Sequence, residues 1–459
     1  KPEYIPFTND LIELAIREDI GDGDHSSLAC IPPDERGRMK LLVKNGILPG
    51  RGACDMLVED GRIAKIEPNL EDADAQVVDA QGRCVLPGMV DLHCHLRDPG
   101  LEYKEDIVSG TRAAAAGGFT TVCCMANTDP VNDNAVVTGY ILNKAKTEGS
   151  GVHVYPIGAV SKGLKGETMA EIGEMARAGI VAISDDGKPI MNAQLLRRAM
   201  EYGAAFGMTV FDHCEDIHLV NKGVMNEGYN STLLGLRGTT RAAEEVQIAR
   251  DAILAETLNL PIHICHVSTA GGVRIIREAK ARGVKITAET APHYLAGTDD
   301  MVLSYNAATK VNPPLRLTED QDALIEGLCD GTIDAIATDH APHHRDEKEV
   351  EYNLALSGIS GFETAFALGM ETLVHAHHMS LEDYVKVVST NPARILGKNC
   401  GELAVGKDAD FLLVDPNEEW CIDSRKFLSK GKNTPFHGTM VHGRVKATFV
   451  GGKCIYRDE

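Results

Sequence analysis

Gly88–Gly100 reads GMVDLHCHLRDPG, an apolar run that ends in His-x-His, an arginine and an Asp-Pro-Gly turn. Residues two apart on a strand face the same side, so His93 and His95 point together. Neutral imidazoles suit zinc and similar ions. Arg97 continues the alternation or opens the loop beyond it, and it offers a two-pronged grip for a carboxylate beside a metal. His-x-His alone is a weak signal. Its weight depends on whether further ligands stand at the ends of later strands.

MVDLH (89–93) is the first of eight short apolar runs. The others are FTTVCCM (119–125), VHVYPI (152–157), IVAIS (180–184), MTVFDH (208–213), PIHICH (261–266), VKITAE (284–289) and IDAIATD (333–339). Segments between them, such as 104–116, 167–178, 240–256 and 272–282, are rich in Ala, Glu, Arg and Leu and read as helices. This alternation fits a TIM (β/α)8 barrel or a doubly wound sheet. The run ends decide between them. His93 and His95 end the first, Asn127 follows the second, and Asp185-Asp186 follows the fourth; His213 ends the fifth, His266 the sixth and Asp339 the eighth. A barrel brings all these ends to one face, whereas an open sheet keeps its edges apart. The expected fold is therefore α/β, a TIM (β/α)8 barrel over residues 88–396.

The flanks read as strands. MKLLVKNG, DMLVEDGRIAKIE and AQVVDAQGRCVLPG alternate apolar runs with Asn-Gly, Asp-Gly and Gln-Gly turns, and DADFLLVDP and TMVHGRVKATFVGGKCIYRDE supply a match at the far end. Residues 39–87 and 397–459 are expected to form one small β-sandwich with the barrel inserted. Residues 1–38 are an appended segment. Its piece AIREDIGDGDHSSLACIPP resembles the amino-terminal start of quinolinate phosphoribosyltransferases, but the rest of that enzyme is missing and no phosphoribosyl transfer is inferred. Met39 makes a sensible start for the β-rich flank and the barrel.

With 459 residues and 43% hydrophobic content, the chain supports one large domain and smaller pieces. A formal net charge of −21 argues against nucleic acid or an anionic membrane as a partner. No signal-peptide pattern or membrane-length apolar run is found, and twelve scattered cysteines without a CxxC framework read as reduced thiols in a cytoplasmic protein. Cys94, Cys214 and Cys265 each adjoin a histidine of interest, but strand alternation turns them to the other face, where they pack.

Two histidines from the first strand, one each from the fifth and sixth, and a carboxylate from the eighth are too many ligands for one open catalytic zinc. Two metals and a bridging group resolve the count. The fourth run has no lysine at its end to carry a carbamate, and Lys188 lies beyond the glycine turn, so a carboxylate bridge from Asp185-Asp186 is expected. A water held between two metals becomes a hydroxide near neutral pH, and a metal also polarises a carbonyl. That is hydrolytic or cyclising chemistry at an amide-like carbon.

From about Met39 to Tyr456 the chain resembles bacterial dihydroorotases of the aspartate-bridged type, in the amidohydrolase superfamily. The motifs, in family order, are DLHCHLRDPG, MANTDP, ISDDGKPI, DHCED, HICHVST, KVNPPLR, ATDHAPH and KNTPFHG. The resemblance implies His93, His95 and Asp339 on one zinc, His213 and His266 on a second, and Asp186 as the bridge. It implies His95, Arg97, Asn127, Asn312, His343 and Gly358 as substrate contacts. Where the family often has Pro-Phe-Gly, this chain has Leu356-Ser357-Gly358. It implies reversible cyclisation of N-carbamoyl-L-aspartate to dihydroorotate in pyrimidine synthesis, by attack of a metal-bridged hydroxide with Asp339 as the catalytic proton carrier. A homodimer and a complex with aspartate transcarbamoylase are left open.

Two alternatives remain: another cyclic amidase, such as a hydantoinase or allantoinase, and an inactive scaffold for aspartate transcarbamoylase. Every ligand position is filled, which favours an enzyme. Other polar residues take plainer readings. Asp185 caps a turn, Glu289 and His293 are partners of ligands near the opening, His375, His377 and His378 end a helix, and Trp420 packs in the carboxy-terminal sheet. The charged segment 342–360 reads as a lid or a solvated loop.

Overall fold

The computed structural model describes residues 39–458; the readings made on residues 1–38 lie outside it. The flanks meet in one eight-stranded sheet. Its order is Lys453–Arg457, Met440–Val450, Phe411–Cys421, Cys84–Pro87, Lys40–Leu48, Gly52–Glu59 and Arg62–Glu67, with Gln76–Asp79 also paired to Lys40–Leu48. The two ends of the chain join where Phe411, Leu412 and Leu413 pair antiparallel with Pro87, Leu86 and Val85. Alternation then divides the side chains. Val85, Phe411 and Leu413 face a small core with Val43, Met56 and Phe449, whereas Leu86 and Leu412 turn to the large central core.

Asp60 and Gly61, at φ 51° and 79°, make the expected two-residue hairpin turn. Asn45-Gly46 does not turn the chain. It is a bulge inside Lys40–Leu48, where the pairing shifts register between Val43 and Gly46. The Asn45 N–H donates to Asp55 Oδ1 at 2.9 Å, and a Cβ on Gly46 would lie 2.5 Å from Val85 Cγ2. The glycine admits the neighbouring strand, which a sequence pattern cannot distinguish from a turn.

The insert is built of parallel strands and helices. Met89–Cys94, Phe119–Cys124 and His153–Pro156 form one parallel sheet; Val210–Asp212, Ile262–Ile264, Ile286–Thr290 and Ala335–Ile336 form another. Between them lie isolated parallel bridges, Gly158↔Ile183, Ile183↔Val210 and Cys94↔His340. The fourth apolar run therefore contributes a single bridge residue, Ile183, instead of a strand. Leu92, Cys123, Ile157, Ala182, Phe211, Cys265 and Ala335 pack together from these strands.

The helices fall close to their expected places. Ile107–Gly117 starts three residues late because Asp106 caps it in a reciprocal box with Ser109. Ala242–Leu258 ends on Asn259 at φ 53°, and Ala270–Ala281 starts on Thr269, whose side chain accepts from Gly272 N. Ile172–Ala178 is shorter than its pattern. Among the described residues no helix is long and apolar enough to cross a membrane.

Candidate metal centre

The carboxyl ends of the parallel strands carry the predicted ligands. His93 is inside Met89–Cys94, and His95 just follows it, its N–H donating to His340 O at 2.9 Å. Asp186, His213, His266 and Asp339 each stand within three residues of Ile183 or of a strand end. Arg97, His266 and Asp339 have φ of 62°, 34° and 45°. Non-glycine residues held there cost about 1–3 kcal/mol each, a strain that clusters at functional sites.

Asp186 lies among the histidines. Its Oδ2 is 3.3 Å from His93 Nε2 and 3.5 Å from His95 Nε2. Its Oδ1 is 3.3 Å from His266 Nε2 and 3.4 Å from His213 Nδ1, which are themselves 2.8 Å apart. Asp339 Oδ1 is 3.2 Å from His95 Nε2 and 3.5 Å from His93 Nε2. All six residues are buried.

The donor set fits divalent cations. His93 Nε2 is buried without a hydrogen-bond partner, facing two carboxylates. Burial opposes charge on His93, yet Asp186 raises its pKa well above the ordinary value; burial likewise opposes charge on His213, which Asp186 and Glu215 push up to about 10. Burial pushes the carboxyls of Asp186 and Asp339 up, but the surrounding imidazoles outweigh it and hold both well below the usual range. The cluster attracts positive charge at its centre, and imidazole with carboxylate is a ligand set for zinc and its neighbours.

The far nitrogens of three histidines have partners. His95 Nδ1 is 2.9 Å from Asn127 Oδ1, His93 Nδ1 is 3.1 Å from Glu289 Oε1, and His213 Nε2 is 3.5 Å from both Glu215 Oε2 and Asn312 Nδ2. Such partners fix ring orientation and tautomer. Sequence reasoning missed Glu215, although it stands two residues from His213 in DHCED. Burial raises the Glu289 carboxyl, but His263 and His93 outweigh this and lower it to about 2.

A cavity of about 410 Å³ opens above the cluster, lined by Arg97, Asn127, Asn312, His343 and Gly358 together with His95 and Asp339. Arg97 donates through Nε to Pro342 O at 3.3 Å, and its Nη2 is 3.5 Å from His343 Nε2. Burial, then the charges of Arg97 and Lys104, lower His343 to about 3, so its ring is neutral. His343 Nε2 is 2.8 Å from Ser357 O, and Gly358 N donates to Lys310 O at 2.9 Å. The charged segment after Pro342 is pinned down: Lys348 is buried and donates to the carbonyls of Lys310, Leu356 and Gly358.

Asp185 stands outside the cluster and accepts from Val160 N and Ser161 N at 2.8 and 2.9 Å, tying two connections together instead of capping its own turn. His377 and His378 are exposed, and His375 is half-buried against Pro416 O at 2.9 Å. Trp420 is half-buried and donates to Gly443 O at 3.0 Å.

The profile of the family described as Dihydro-orotase-like matches residues 82–271. A dihydroorotase of Acetivibrio thermocellus is 55% identical over 424 residues, covering 91% of this chain and 99% of the relative. One of Ruminiclostridium cellulolyticum is 54% identical over the same shares. The chain belongs to the dihydroorotase family. It is an enzyme, a metal-dependent hydrolase of cyclic amides acting on a small molecule, with dihydroorotase function in pyrimidine biosynthesis. Among solved structures, the L-hydantoinase (dihydropyrimidinase) from Arthrobacter aurescens superposes on this chain with a TM-score of 0.83 at 27% identity, covering 91% of this chain and 96% of that one. The dihydropyrimidinase from Brevibacillus agri NCHU1002 gives 0.79 at 25% identity, over 91% and 95%.

Proposed function

We propose that the strand-end cluster is the reaction centre of this dihydroorotase and holds two divalent cations, zinc by its donor set. His93, His95 and Asp339 would hold one, His213 and His266 the other, and Asp186 would bridge them. The observation that carries this is Asp186, whose two oxygens face different pairs of histidines, Oδ2 toward His93 and His95 and Oδ1 toward His213 and His266. When bound, the cations supply Lewis acidity, which polarises an amide carbonyl and lowers the pKa of water.

The chain's own residues do the rest. Arg97 and the amide of Asn127 grip the carboxylate of N-carbamoyl-L-aspartate or dihydroorotate, with His95 and His343 beside them. Asn312 and the segment at Gly358 position the ring amide. Asp339, held ionised, takes the proton of the attacking water and passes it to the leaving ring nitrogen. In the cyclising direction it moves the proton the other way and water leaves.

The same reading closes the parallel strands into a (β/α)8 barrel over residues 88–396, with the flanks 39–87 and 397–459 as a β-sandwich. The isolated bridges at Ile183 and between Cys94 and His340 support it, because they continue the pairing between the two parallel sheets on both sides. Closure brings the strand ends to one face.

A hydantoinase-like activity is the second reading, favoured by the fold likeness to the Arthrobacter aurescens enzyme. Against it stand the carboxylate at Asp186 and an arginine suited to an acidic substrate. Purified protein, assayed for metal content and for turnover of dihydroorotate, hydantoin and allantoin, tests both. Bound metal with preference for dihydroorotate is expected; preference for either other ring would overturn the proposal.

A further inference from the structure

Glu289 is a fully buried carboxylate that takes no part in the proposed reaction. It lies in the strand Ile286–Thr290, close to the buried thiol of Cys265. An anion in such surroundings is costly unless its oxygens are matched by donors. Two imidazoles lie against them, one hydrogen-bonded and one at ion-pair distance only. Oε1 lies 3.1 Å from His93 Nδ1, and Oε2 lies 3.2 Å from His263 Nε2. His263 is itself fully buried, and its Nδ1 is 2.8 Å from Thr287 Oγ1, its register partner on the neighbouring strand.

One assignment of protons turns a donor toward each acceptor along this path, the approach of His263 Nε2 to Glu289 Oε2 being a close contact outside hydrogen-bond geometry. The Thr287 hydroxyl donates to His263 Nδ1. That leaves the His263 proton on Nε2, toward Glu289. Glu289 in turn accepts from the Nδ1–H of His93. The lone pair of His93 then resides on Nε2, the atom that faces Asp186 and Asp339 with no hydrogen-bond partner. With both rings neutral, any other placement turns a lone pair of a ring nitrogen toward Glu289; this one turns the His93 lone pair toward Asp186 and Asp339, where a cation would lie between them.

We infer that Glu289 and His263 are a positioning pair for the cation site: through the buried path Thr287–His263–Glu289–His93 they fix the tautomer of His93 and lend its Nε2 negative charge, so that it donates to a divalent transition metal. Neither residue touches substrate. The inference rests on the metal reading proposed for the strand-end cluster.

The test uses the full chain loaded with zinc or cobalt(II), with chelator competition for each metal equivalent and the visible spectrum of the cobalt form. Glu289→Gln keeps an acceptor for His93 but loses the charge; Glu289→Ala loses both. Tenfold or greater weakening of one equivalent in Glu289→Gln is expected, with a larger loss in Glu289→Ala, a smaller one in His263→Gln, a changed cobalt spectrum, and the second equivalent retained. Wild-type retention of both equivalents with an unchanged spectrum in these variants would overturn the inference while leaving the metal reading intact. Failure of the wild-type chain to bind any divalent cation would instead overturn the metal reading itself. Should the variants not fold, nitrogen-15 NMR of histidines in the zinc-loaded wild-type chain decides the matter. Protons on His93 Nδ1 and His263 Nε2 are expected, and the opposite tautomer of His93 would refute the path.

Discussion

Asn127 Oδ1 lies 2.9 Å from Nδ1 of His95, so the side chain that faces the cavity also sets the ring of a histidine in the proposed metal site. Asn127 therefore has two tasks, which substitutions can separate. Asn127→Asp keeps the acceptor for His95 but sets a negative charge against an acidic substrate. Metal content should stay at the wild-type level while KM rises about ten- to a hundredfold, as for a lost hydrogen bond to a charged group. Asn127→Ala should lower metal retention as well. Metal analysis beside steady-state kinetics checks both, and an unchanged KM in Asn127→Asp would remove the amide from carboxylate binding.

Asp339 and Asp186 should fail differently. Asp339→Asn keeps size and burial but cannot carry the proton, and kcat should fall by about 10²- to 10⁴-fold with cooperative unfolding preserved. Asp186→Ala removes the carboxylate that faces both histidine pairs, so loss of one or both metal equivalents by elemental analysis is expected. Near-wild-type turnover in Asp339→Asn would exclude it as the proton carrier.

Metal uptake should release protons. In the metal-free chain His213 is pushed up to about 10, so it carries a proton at neutral pH that a cation displaces. Calorimetric titrations in buffers of different ionisation enthalpy measure the release directly, and uptake should tighten as pH rises. The same shift sets a stability trend. Because the folded pKa lies above the unfolded one, this charge stabilises the metal-free fold fully below about pH 6.5. That contribution is lost as pH rises toward 10, and denaturant melts of metal-free protein across this window check the slope.

Gly358 stands at φ 152°, and a Cβ there would lie 2.5 Å from Ala341 O and 2.9 Å from the His343 ring. Gly358→Ala should therefore displace the cavity wall that carries His343. A higher KM with metal content unchanged is expected, and kinetics equal to wild type would show that the wall yields without cost.

Much of this protein was legible in its sequence. Strand alternation made His93 and His95 a pair, the run ends named Asp185-Asp186, His213, His266 and Asp339, and the motifs around them identified the family and, by resemblance, chose Asp186. These are local signals, carried by residues one to three positions from an apolar run. Other features were decided only by the tertiary structure. The sequence placed Glu289 and Asn127 near the opening, but Glu289 is 196 residues from His93 and Asn127 is 32 from His95, so no local pattern tells which ring either meets. The bulge at Asn45-Gly46 and the single bridge residue Ile183 depend on which strand lies alongside. Sequence by itself determined which donors stand at the strand ends of this protein. Packing between distant strands decided how each donor is turned and charged, because a tautomer and a buried charge are properties of the neighbours a side chain meets.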